Sequence, residues 1–258
     1  MHIPAATIHT EEVCVTALFV FLLAAGVMPA TTASIAAGDA AVTALRYPEA
    51  RHCYEASLAS APQDPAVLWR LARLSNVEAG LATGERKRAL YEDGERWARA
   101  CVTNDSTVAE GYTWLAVSLG NLAMFEGSKA KVRMCSEIKR ALDRALILKP
   151  DDDIAYTILG SFYRALGNVS WIERQLAGVF LGRLPEGGYP EAEAALKRAI
   201  ALAPGTLRHR QELGMVYIDW GKEDLARTVL RESLQLPNVL ASDEADKQKI
   251  REVLADLD

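Results

Sequence analysis

A leucine followed by glycine or alanine recurs at Leu71-Ala72, Leu115-Ala116, Leu159-Gly160 and Leu213-Gly214, at intervals of 44, 44 and 54 residues. A chain that repeats one pattern in this way builds a stack of like units, each burying its apolar side against the next. Two further sets of positions keep step. Small residues stand at Ser57, Cys101, Ala145, Ala199 and Ser233, spaced 44, 44, 54 and 34, and Pro62, Ser106, Pro150 and Pro204 follow at 44, 44 and 54. Small side chains let two helices approach closely, and a proline ends a helix. The unit is therefore a helical hairpin, and the fold class is all-α.

The fragment Tyr156-x-x-Leu159-Gly160-x-x-Tyr163 is followed by Ala192, Leu196, Ala199 and Pro204. The last copy reads Leu213-Gly214-x-x-Tyr217, then Ala226 and Leu230. Both resemble the tetratricopeptide signature, whose period is about 34 residues. The intervals exceed that period by ten and twenty residues, which fall between the two helices of a hairpin. HEAT and armadillo repeats have periods of about 40–47, but the final interval of 34 and the recurrent Leu-Gly-x-x-Tyr favour the tetratricopeptide reading.

Units start near residues 65, 109, 153 and 207. Val132, Cys135, Ile138, Leu142, Ala145 and Leu146 make one helical stripe, so that second helix starts early and runs about 30 Å. The block 168–188 carries a capping-box pattern, Ser170-x-x-Glu173, before an apolar run, and reads as an extra helix. Tyr47–Pro62 reads as a lone second helix at the N-terminal end, with Ala50, Tyr54 and Ser57 in register. Residues 242–258 read as a capping helix with Ile250, Val253, Leu254 and Leu257 on one face.

Residues 1–36 differ from the rest. Val13–Met28 is sixteen residues without a charge, followed by a small-residue segment, as in a signal peptide or an N-terminal membrane anchor. Cleavage after Ala33 or Ala36 fits, although Glu11 and Glu12 stand where a positive n-region is usual. The expected location is exported or membrane-anchored, periplasmic in a bacterium. Residues 37–258 carry 29 basic and 32 acidic side chains, a balance with no footprint for nucleic acid. Cys53, Cys101 and Cys135 are widely spaced and read as small apolar residues, not as a disulfide frame or zinc site.

The segments EGSKAKVRMCSEIKRALDRALILKPDD and SWIERQLAGVFLGRLPEGGYPEA make the chain resemble the regulator of microtubule dynamics family and its bacterial relatives, across roughly residues 65–237. The resemblance implies an all-helical, non-enzymatic repeat domain. It also implies that some members sit at mitochondria or microtubules, and that a mitochondrial member with an N-terminal membrane segment binds phospholipid through its repeats.

Catalytic and metal motifs are missing from the sequence: there is no H-E-x-x-H, Walker A, GxGxxG or GxSxG. No catalytic residue, metal site or cofactor is expected. His52 and His209 read as exposed helix residues, and Asp151-Asp152-Asp153 as the charged start of a helix. The function expected is a protein or peptide scaffold, with a phospholipid or fatty ligand in the groove as the alternative. First helices line the inner face of such a stack. Its groove candidates are Trp69, Arg70, Arg73, Asn76, Tyr112, Asn121, Tyr156, Arg164 and Arg210. Arg70, Arg73 and Asn76 stand out, because packing does not require them. Trp171, Ile172, Val179 and Phe180 of the insert are candidates for a lid.

Overall fold

A computed structural model describes residues 30–170, 184–239 and 243–257. Among them are eleven α-helices and no strand. They run α1 (Ala30–Thr43), α2 (Tyr47–Ser60), α3 (Pro65–Leu81), α4 (Gly84–Asn104), α5 (Ala109–Glu126), α6 (Ser128–Leu148), α7 (Asp153–Gly167), α8 (Tyr189–Leu202), α9 (Leu207–Asp219), α10 (Glu223–Leu234) and α11 (Asp243–Leu257). The lid residues Trp171, Ile172, Val179 and Phe180 lie outside the described residues.

Successive helices pair as antiparallel hairpins, and from α3 to α9 each first helix also touches the first helix of the next unit. The starts are chemically marked. Asp64 caps α3 by accepting from the Ala66 amide at 2.9 Å, with Pro65 in the first turn. Asp152 caps α7 by accepting from the Ala155 amide at 3.0 Å. In both, a carboxylate satisfies a donor that has no partner inside the helix.

The signature glycines act through contact. A Cβ on Gly160 would fall 2.5 Å from Leu196 Cγ, and one on Gly214 would fall 2.4 Å from Leu230 Cδ2. Leu196 and Leu230 are fully buried, so each leucine of a second helix sits on the bare backbone of its first helix. The extra residues of the second and third hairpins lengthen helices. α4 and α6 are 21 residues each, against 12 for α10.

Tyr47–Pro62 is not a lone second helix. α1 packs on α2 and supplies the first helix of a complete hairpin. Gly38 stands 34 residues before Ala72, in the signature register. A Cβ there would fall 2.4 Å from Tyr54 Cε1. Tyr54 is fully buried in a cluster with Ala41, Ala50, Val67, Leu71 and Leu74. At the other end, Ile250 and Leu254 of α11 join the cluster of Leu213, Val216, Tyr217 and Leu230, which covers the last hairpin.

Candidate binding face of the first helices

One register position runs Asp39, Arg73, Val117, Ser161 and Met215, a residue from each of α1, α3, α5, α7 and α9, and all five are partly exposed. This line is the spine of the first-helix face. Polar side chains cross it at every step.

At the N-terminal end, the Asp39 carboxylate gathers three donors. Tyr54 donates at 2.6 Å, Arg70 Nε at 2.9 Å and Arg73 Nη2 at 2.8 Å. The Arg70 guanidinium also stacks 4.1 Å from the Trp69 ring centre. Burial alone would raise the Asp39 pKa, but the hydrogen bonds from Tyr54 and Arg70 and the charges of both arginines bring it below its usual value. The Tyr54 hydroxyl is pushed up to about 12 by burial and by its bond to that carboxylate. Asp39 thus draws Arg70 and Arg73 into the packing of α1 on α3, one carboxylate shared by two guanidiniums.

Asn76 also differs from expectation, because the packing does require it. It is buried, donates to Ala72 O at 2.9 Å and Ser118 Oγ at 2.7 Å, and accepts from Asn121 Nδ2 at 2.9 Å. A Cβ on Gly94 would fall 2.6 Å from Asn76 Nδ2, so a glycine of α4 makes room for this bridge.

The ladder continues. Thr113 donates to Asp152 at 3.2 Å. Ser161 donates to Glu212 at 3.0 Å, and Arg164 Nε donates to Asp219 at 2.6 Å. Tyr112, Tyr156 and Arg210 are partly exposed, and Arg210 donates to Pro204 O. Buried polar groups paired in this way fix one alignment of neighbouring units.

His209 is 2% exposed, not a surface residue. Its Nδ1 lies 2.7 Å from Thr157 Oγ1 and its Nε2 2.9 Å from Asp153 Oδ2, tying α9 to α7. Burial lowers its pKa, and the nearby Asp153 only partly restores it. The unfolded chain, with a histidine value near 6.5, takes up the proton first. Stability is then full above that pH and declines as pH falls through it towards the folded value. Urea unfolding midpoints measured across this range should show the decline, and His209→Gln should flatten it.

Two open hollows, of about 410 Å³ at Gly221–Arg227 and about 480 Å³ at Ala61–Asp64, lie where α9 meets α10 and where α2 meets α3. Among the described residues, no three His, Cys, Asp or Glu side chains gather as metal ligands, and no helix is long and apolar enough to cross a membrane.

Residues 36–258 match the family model described as Regulator of microtubule dynamics protein 1-3. The chain belongs to this family. Regulator of microtubule dynamics protein 1 of Bos taurus is 30% identical over 190 residues, which cover 72% of this chain and 59% of the relative. Regulator of microtubule dynamics protein 3 of Xenopus laevis is 29% identical over 189 residues, covering 72% and 41%. The chain thus spans about half the length of these relatives. Among solved structures, TTC0263, a thermophilic TPR protein of Thermus thermophilus, superposes with a TM-score of 0.66 at 21% identity, covering 88% of this chain and 98% of that one. That likeness establishes the fold as a tetratricopeptide-type helical solenoid.

Proposed function

We propose that the chain is a non-enzymatic scaffold whose first-helix face holds an extended segment of a protein partner. The observation that carries this reading is the line Asp39, Arg73, Val117, Ser161 and Met215, which crosses five units and stays partly exposed. Hydrogen bonds between units hold the face in one shape before any partner arrives, which lowers the ordering cost of binding. Its polar lining suits a peptide backbone better than an acyl chain. The family's regulator name agrees with a binding role.

A photo-crosslinking residue at Val117 tests this against the same residue at Ile147, an exposed site on the second helix α6. The expected result is a polypeptide adduct from the first site and none from the second. Recovery of phospholipid or fatty acid from the purified protein by organic extraction, with no polypeptide adduct at Val117, would overturn the reading in favour of a lipid groove.

A further inference from the structure

The two lengthened hairpins end in an apex that the first-helix face does not use. Leu81, the last residue of α3, is 74% exposed, and Met124 and Phe125 near the end of α5 are 62% and 40% exposed. Beneath them, Ala79, Tyr91 and Leu122 form a small core with Leu90 and Met134. Glu126 ties the hairpins together, 3.7 Å from Arg88 of α4 and 2.9 Å from Arg133 of α6. The two tips therefore form one structure.

Its charge is opposite to that of the chain. Residues 81–88 and 124–133 carry six basic and two acidic side chains, within a chain of net charge −5. Arg86, Lys129 and Lys131 are exposed. The ten extra residues in each unit, shared between two helices, carry the apex about 7 Å past a hairpin of standard length. Turn tips in water are usually polar, so three large apolar side chains under a basic rim mark a contact surface.

We propose that this apex docks on an anionic lipid bilayer, with Leu81, Met124 and Phe125 entering the interface and the rim cations meeting phosphates. Exposed apolar side chains at the ends of two projecting hairpins can enter a deformable plane, and the cations beside them complement its phosphates. Interfacial segments bury their apolar side about 5–10 Å deep, which the projection matches. Each rim cation strengthens attachment to an anionic surface about fivefold.

The test is hydrogen exchange on the full chain with phosphatidylcholine vesicles, with and without phosphatidylserine. The N-terminal segment is present in every sample, so the local readout at the apex is what counts. Amides of 81–88 and 124–133 should slow with the anionic vesicles only, and added salt should reverse the effect. Lys129→Gln with Lys131→Gln should lower the apex–surface equilibrium about thirtyfold and remove the slowing, with exchange in α9 and α10 unchanged as the folding control. Equal slowing on both vesicles, or slowing that survives the double variant, would refute a charge-selective bilayer contact. Slowing that grows with protein concentration in the absence of vesicles would assign the apex to a second copy instead.

Discussion

Leu230→Ala should lower the free energy of unfolding by about 2–5 kcal/mol, the usual cost of emptying a fully buried leucine site. Leu230 has no exposed surface, and it lies on the backbone of Gly214. The reverse change, Gly214→Ala, would place a Cβ 2.4 Å from Leu230 Cδ2 and 2.5 Å from its Cγ. The Cγ is not a free end that can swing aside, so overpacking of about 1–3 kcal/mol should exceed the roughly 1 kcal/mol gained from alanine's better helix propensity. The two changes should not add. With Leu230 shortened, the new methyl enters space the leucine has left, and the double variant should be more stable than the sum of the two losses predicts. Urea denaturation of the four proteins measures the coupling. Strict additivity would mean that the glycine is there for some other reason than the leucine.

This pairing also explains what could be seen in the sequence. Gly160 and Gly214 recur with Leu196 and Leu230 because close helix contact demands them, and such demands leave a period. The starts of α3, α5, α7 and α9 were legible from the same period, and at α3 and α7 a capping aspartate adds a local signal. The first-helix face was less legible, because residues that pair across it are far apart in the chain. Asp39 lies 31 and 34 residues from Arg70 and Arg73. Nothing near either arginine announces that the two share this carboxylate. His209 is similar: its burial follows from Thr157 and Asp153, 52 and 56 residues away, and only the stacking of α9 on α7 brings them together. Asn76 had a signal that was available. Gly94 interrupts α4 in mid-helix, where glycine is costly, and so marks a close neighbour.

The first hairpin was hidden for a different reason. Its signature dipeptide is Ala37-Gly38, without the leucine, and it follows directly on an apolar N-terminal stretch. Tyr54→Ala tests whether this hairpin is a full member of the stack. Removing a fully buried aromatic ring costs about 3–5 kcal/mol, and here it also takes away the hydroxyl that Asp39 accepts from at 2.6 Å. In a stacked array each unit is held mainly by its neighbours, so the loss should fall on the terminal unit. Amides of α1 and α2 are expected to exchange far faster in the variant while those of α9 and α10 keep their protection. Asp39→Asn should act in the same place but more weakly, because it leaves the ring on Gly38 and removes only the charge between Arg70 and Arg73. A folded carboxylate held below its ordinary value of 3.8 adds stability above that pH and loses it as pH falls through the folded value. Acid should therefore loosen the same hairpin in the unaltered protein, and Asp39→Asn should abolish that dependence. If the α1 and α2 amides of Tyr54→Ala exchanged no faster than before, the ring would not be what holds the first hairpin to the stack, and Gly38 would need another explanation.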